Sequence, residues 1–104
     1  MTPDVFDALA NPIRRALLAQ LRGGPQPAGA LAARFTDRSR AAVSEHLAVL
    51  RRAGLVVEEP RGRERVYHLD AAPLRAVQDW LADYAAFWDD HLDQLAQVLQ
   101  EESP

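Results

Sequence analysis

Apolar residues recur at helical spacing through most of this chain, and turn residues between the periodic stretches divide it into a run of short helices. Thr2-Pro3, a hydroxyl followed by proline, predicts the start of a first helix, with Asp4 in its first turn and Val5, Phe6 and Leu9 as its apolar side. Asn11-Pro12 repeats the signal, and Ile13, Leu17, Leu18 and Leu21 then recur until Gly23-Gly24 stops the second helix. A linker-like Gly23-Gly24-Pro25-Gln26-Pro27 precedes a short third helix, from about Pro27 to Phe35, with Ala28, Leu31 and Phe35 on one side. After the polar turn Thr36-Asp37-Arg38, Ser39 is placed to cap a fourth helix over about residues 39–53. Its Val43, Leu47 and Leu50 face inward, and Gly54 can take the left-handed conformation that closes it.

The pattern then changes period. Leu55-Val56-Val57 and Arg65-Val66-Tyr67-His68-Leu69 are β-prone, and the arginine-bearing segment 58–64 between them contains Gly62, so a two-stranded hairpin is predicted over about 55–69. A long amphipathic helix follows, over about 73–100. Leu74, Val77, Leu81, Tyr84, Trp88, Leu92, Leu95 and Leu99 form its stripe, widened by Trp80 and Phe87. Such a helix spans about 40 Å at its rise of about 1.5 Å per residue, more than so small a domain can cover. A second copy of the chain is the simplest cover for the remainder, with Phe6, Leu81, Tyr84, Trp88, Leu92 and Leu95 as the expected contacts. The expected fold is therefore mainly α with a small β-hairpin, in the order α-α-α-α-β-β-α. It forms one domain over residues 1–104.

Composition changes this picture in two ways. The chain has no cysteine, which excludes disulfides, thiolate metal sites and cysteine nucleophiles. No apolar run approaches the length of a membrane span and no basic, apolar leader opens the chain, so a cytoplasmic protein is expected. The net charge of −3 argues at first against nucleic acid. Its distribution argues the other way. Residues 1–75 carry all 12 basic residues, every one arginine, against eight acids, which gives 12 − 8 = +4. Residues 76–104 carry seven acids and no base, or −7, and the two parts sum to −3.

A short helix, a tight turn, a capped second helix and a cationic hairpin together form a winged helix-turn-helix pattern. The first half of the fourth helix would enter the major groove, where Ser39, Arg40, Ala41, Ser44 and Glu45 lie away from the Val43/Leu47/Leu50 side. Arg40 can pair with guanine, and Ser44 can reach a base or a phosphate. Glu45 repels phosphate, so an arginine pair is expected for it, from Arg38, Arg40 or the hairpin; accepting from a cytosine amino group and lying off the surface are the alternatives. Arg61, Arg63 and Arg65 alternate, which on one strand would place three like charges on one side, an arrangement suited to phosphate.

Catalysis finds no support. Ser39 and Ser44 lack a base and acid partner, and no phosphate-binding glycine loop is present, so no enzyme activity and no cofactor are expected. Among the histidines, His46 suits packing or phosphate contact, and His68 lies in a strand without a neighbouring His or Cys. His91, near Asp83, Asp90 and Asp93, is the best metal-ligand candidate, although an acidic solvated helix face is the commoner origin of such a set.

Residues Phe6 to Arg15, Ser39 to Val56, and Arg61-Gly62-Arg63 leading to Val66-Tyr67-His68-Leu69 closely resemble the ArsR family of bacterial winged helix-turn-helix repressors. The match runs in order over about residues 5–70. The resemblance implies a homodimer joined through its first and last helices and bound to a partly palindromic operator. It also implies DNA-reading positions at Ser39, Arg40, Ala41, Ser44 and Glu45, with Arg61 and Arg63 in the wing. Metal-sensing members carry a Cys-x-Cys site on the third helix or an Asp/His set on the last. Here Ala30 to Ala33 replace the first, and Ala71 and Pro73 stand where the second is expected, so the resemblance is to the branch that does not sense metal. A small-molecule effector at the dimer interface, a metal sensor, and a protein-interaction module on the same scaffold remain open as alternatives.

Overall fold

The computed structural model describes residues 3–101. Its elements are α1 (Val5–Leu9), α2 (Pro12–Leu21), β1 (Gln26–Pro27), α3 (Ala28–Ala33), α4 (Arg40–Arg52), β2 (Val56–Arg61), β3 (Glu64–Leu69), α5 (Leu74–Ala82) and α6 (Ala85–Glu101). The mainly helical architecture with an antiparallel hairpin is as expected, with three differences in detail.

The first is the start of α1. Thr2 lies outside the described residues, and the cap is Asp4, whose Oδ1 accepts from the Asp7 N–H at 2.8 Å. The Asp7 carboxylate accepts in return from the Asp4 N–H at 3.3 Å, so two orphan donors are satisfied reciprocally. The second is a third strand. Gln26 and Pro27 pair with Tyr67 and Val66, giving an antiparallel sheet in the order β1-β3-β2. Pro27 has no N–H to donate, and an edge strand is where a sheet tolerates that. The third is the last helix, which is divided. At the division Tyr84 donates to the Leu81 carbonyl, three residues back, at 3.0 Å. This tighter turn separates α5 from α6 without glycine or proline.

Elsewhere the capping chemistry sets the boundaries as the sequence indicates. Asn11 Oδ1 accepts from the N–H groups of Ile13 and Arg14 at 2.8 and 3.2 Å, with Pro12 at the first helical position of α2. Ser39 Oγ accepts from the Ala42 N–H at 3.1 Å and so opens α4. At the other end Gly54 has φ +79°. There the Leu55 N–H reaches the Leu50 carbonyl at 2.9 Å and the Gly54 N–H reaches Arg51 at 3.0 Å, a paired closure of the last carbonyls.

Leu17, Leu31, Val43, Leu47, Leu50 and Leu55 are fully buried and draw α2, α3, α4 and the sheet onto one core. Burial of each Leu or Val side chain is worth about 1.5–3 kcal/mol against leaving it in water. That core fixes α4 against the hairpin, so the outer face of α4 and the tip of β2–β3 have a defined relation.

Candidate nucleic-acid interface

The inward side of α4 determines its outward side. With Val43, Leu47 and Leu50 buried, the helical period turns Arg40, Ala41, Ser44 and Glu45 to solvent, next to the exposed Ser39 cap. All five expected groove-facing residues are thus accessible on one element. Small side chains at Ala41 and Ser44 leave room for close approach to a base edge.

The hairpin is arranged differently from the expectation. Arg61 ends β2 and pairs in register with Glu64, so Gly62 and Arg63 form the two-residue turn and Arg65 lies on β3. Gly62 has φ +60°, and no residue other than glycine among those described has positive φ, which is the turn geometry that takes glycine at its first central position. Arg61, Arg63 and Arg65 therefore do not alternate along one strand, because the chain reverses between them. Two of the three are already engaged. Arg61 Nε lies 3.3 Å from Glu59 Oε1, and Arg65 Nη1 lies 3.2 Å from Glu58 Oε1. Glu58 also takes Arg51 of α4 at 3.0 Å, which ties the hairpin to α4. Arg63 makes no ion pair among the described residues.

The arginine pair expected for Glu45 is not formed: among the described residues Glu45 has no salt-bridge partner. Arg38 turns to Asp37, at 3.9 Å, and Arg40 leans the other way, with Nη2 3.8 Å from where a Cβ on Gly29 would stand. Glu45 thus remains an exposed acid on the outer face of α4.

The histidines have structural partners. His46 Nδ1 lies 3.3 Å from Arg14 Nη1, and since a guanidinium has no acceptor, Nδ1 must accept. Burial first, then the Arg14 and Arg38 charges, hold the His46 pKa below its usual value of 6.5, against a smaller opposing effect of Glu45. Arg14 also donates from Nε to the Ala8 carbonyl at 2.7 Å and from Nη2 to the Asp7 carbonyl at 3.0 Å, so this side chain joins α1 to α4. His68 Nε2 donates to Glu59 Oε2 at 2.7 Å, and that bond, with the one from Arg61, lowers the Glu59 pKa. Burial raises the Tyr67 hydroxyl pKa, with Glu58 adding to the effect. His91 stacks on Phe87 with ring centroids 3.8 Å apart and bonds to the Phe87 carbonyl at 3.1 Å. Among the described residues no group of three His, Cys, Asp or Glu side chains is placed to hold a metal ion.

The residues expected at a dimer contact lie on α1 and along the last two helices. Phe6, Tyr84, Trp88, Leu92 and Leu95 are exposed and Leu81 is half-buried. Phe6 meets Trp80 edge-on at 6.0 Å, and Trp80 meets Tyr84 at 5.2 Å, so α1 and α5 share one aromatic surface.

A helix-turn-helix domain family matches residues 9–59. A transcriptional regulator of the helix-turn-helix type from Mycobacterium tuberculosis, Rv2034, is 42% identical over 97% of this chain and 92% of its own. The Bacillus subtilis transcriptional repressor SdpR is 30% identical over 86% of this chain and 98% of its own. The crystal structure of the ArsR family transcriptional regulator RHA00566 superposes with a TM-score of 0.72 at 34% identity, covering 81% of this chain and 86% of that one. The chain belongs to the ArsR family of winged helix-turn-helix transcriptional regulators. In this DNA-binding ArsR-family regulator the matched stretch 9–59 spans α2 to α4 and reaches into β2. No helix among the described residues is long and apolar enough to cross a membrane. Arg14, Arg51 and Glu58, which hold α1, α4 and the wing in place, carried no signal in the sequence, because their partners lie 6 to 32 residues away.

Proposed function

We propose that this ArsR-family regulator is a homodimeric repressor that binds a partly palindromic operator in the cytoplasm. Ser39, Arg40, Ala41, Ser44 and Glu45 meet the major groove, and Arg61, Arg63 and Arg65 of the wing face the flanking backbone. The observation that carries this reading is the outer face of α4, small, polar and accessible, held beside an arginine-bearing wing by the Arg51–Glu58–Arg65 contacts. The apolar surface of Phe6, Trp80, Tyr84, Trp88, Leu92 and Leu95 supports pairing of two copies through α1, α5 and α6. Two-fold symmetry would then set the recognition helices about 34 Å apart, one turn of B-DNA. The acids of residues 76–101 would stay with the paired helices, away from the duplex.

Selection of duplexes from a random pool tests this directly. An enriched inverted repeat, bound at least about a thousandfold more tightly than random DNA, is the expected result. If repeated rounds return no common sequence, the repressor reading fails. Sedimentation of the free protein tests the pairing, with a dimer expected. A stable monomer would favour an interaction module whose aromatic helices dock a different protein.

A further inference from the structure

The arginines near the duplex-facing surface differ in what already neutralises them. Arg61 is paired with Glu59, and Arg51 and Arg65 share Glu58. Arg40 and Arg63 have no carboxylate partner among the described residues. These two side chains line the same cleft, about 310 Å³, between the start of α3 and the wing. Its α3 side is Ala28 and Gly29, residues too small to fill it, and Arg40 Nη2 already lies 3.8 Å from where a Cβ on Gly29 would stand. Arg40 thus leans back over α3 instead of extending along the outer face of α4. Arg40, Arg63 and the Glu58-paired Arg65 line this one cleft, so an anion there is drawn by two arginines that no carboxylate neutralises among the described residues. A guanidinium fork fits phosphate oxygens in two parallel hydrogen bonds. Glu64 also lines the cleft, and its charge opposes an anion there.

We propose that Arg40 and Arg63 clamp one backbone phosphate of bound DNA in this cleft, so that Arg40 positions the recognition helix and does not read guanine. The proposal rests on the DNA-binding function above and specifies which cations carry it. Arg61 and Arg65, held by carboxylates, orient the wing. Glu64 limits the affinity of the clamp.

The test is a salt titration of duplex binding by the full chain and by Arg40→Ala, Arg63→Ala, the double variant and Glu64→Gln, on a selected operator and on random DNA. One phosphate contact contributes about 0.9 to the slope of log affinity against log salt. The double variant is expected to lose about 0.9, less than the sum of the two single losses, because both side chains serve one phosphate. The ratio of operator to random affinity should stay within about threefold in all variants, since phosphate contacts carry no sequence information. Glu64→Gln should tighten both duplexes. A fall of about tenfold or more in that ratio for Arg40→Ala would assign it to a base edge and overturn the proposal. Additive losses totalling about 1.8 would assign the two arginines to separate phosphates and also overturn it. Inorganic phosphate should compete with DNA better than chloride at equal ionic strength, and the double variant should lose that difference. Equal competition by the two anions in the wild-type protein would count against a phosphate clamp. Wild-type protein that binds operator and random DNA equally would instead defeat the repressor reading, while the slopes on random DNA would still judge the clamp.

Discussion

The body of the molecule, from α1 to β3, and its two terminal helices have the same kind of sequence pattern and opposite fates. In the body the apolar stripes of α2, α3 and α4 converge and their leucines become fully buried. In α5 and α6 the stripe is at least as regular, yet neither helix buries a residue, and Leu92 remains 61% exposed. Leu74 and Val77, at the start of α5, pack partly on the core, and beyond them the stripe runs out of body to cover. Hydrophobic periodicity thus states that a face will be covered, and only the fold states by what. Isolated helices of this length are marginal in water and gain most of their stability from packing of the apolar face. The persistence of α6 in solution is therefore expected to depend on self-association.

The largest expected effect separates the two regions. Leu47→Ala removes a 2% exposed side chain from the core and should cost about 2–5 kcal/mol in urea unfolding. Leu92→Ala should leave the unfolding of dilute monomer within about 0.5 kcal/mol of the parent and instead weaken self-association in sedimentation. A loss of several kcal/mol in the monomer would show that α6 is covered from within its own chain. Gly54→Ala should cost about 1–2 kcal/mol from the left-handed backbone alone, since its Cβ would meet Pro73 Cγ at an ordinary 3.6 Å. Unchanged unfolding would mean that α4 does not depend on this closure. Ser39→Ala should cost about 1 kcal/mol by removing the acceptor for the Ala42 N–H, read in the same denaturation.

The smallest effect is a pH dependence within the body. The folded His46 pKa lies below 6.5, so the unfolded chain binds the proton more readily. Stability is then full above about pH 6.5 and falls as the pH drops below it. His46→Gln should flatten the thermal midpoint across this window. An unchanged slope in the variant would show that His46 does not carry the dependence; the contribution of Glu59 is lost only at lower pH, as it is protonated through its depressed folded value.

Much of the fold was legible because local chemistry decides it. Asn11-Pro12, Ser39 and Gly54 each satisfy helix-end groups with atoms from their own neighbourhood, and the sequence displays them. β1 was not legible, since Gln26 and Pro27 become a strand only by meeting Tyr67 and Val66 some 40 residues later. The division between α5 and α6 has no glycine or proline to announce it. The exposed positions of α4 were legible from periodicity, because its buried side fixes its exposed side. The charge chemistry was not. Which arginines find carboxylates depends on the hairpin register, and that register places Arg61 and Arg65 beside Glu59 and Glu58 while leaving Arg63 at the turn.

The position of the two tryptophans has a practical consequence. The chain has two, Trp80 and Trp88, half-exposed at 52% and 46% on the apolar surface, and the winged-helix body contains none. Intrinsic emission of the unlabelled protein is therefore a local optical reporter of that surface. A blue shift on raising the protein concentration would signal its coverage, while DNA engaging α4 and the wing should leave the spectrum nearly silent unless the two surfaces communicate.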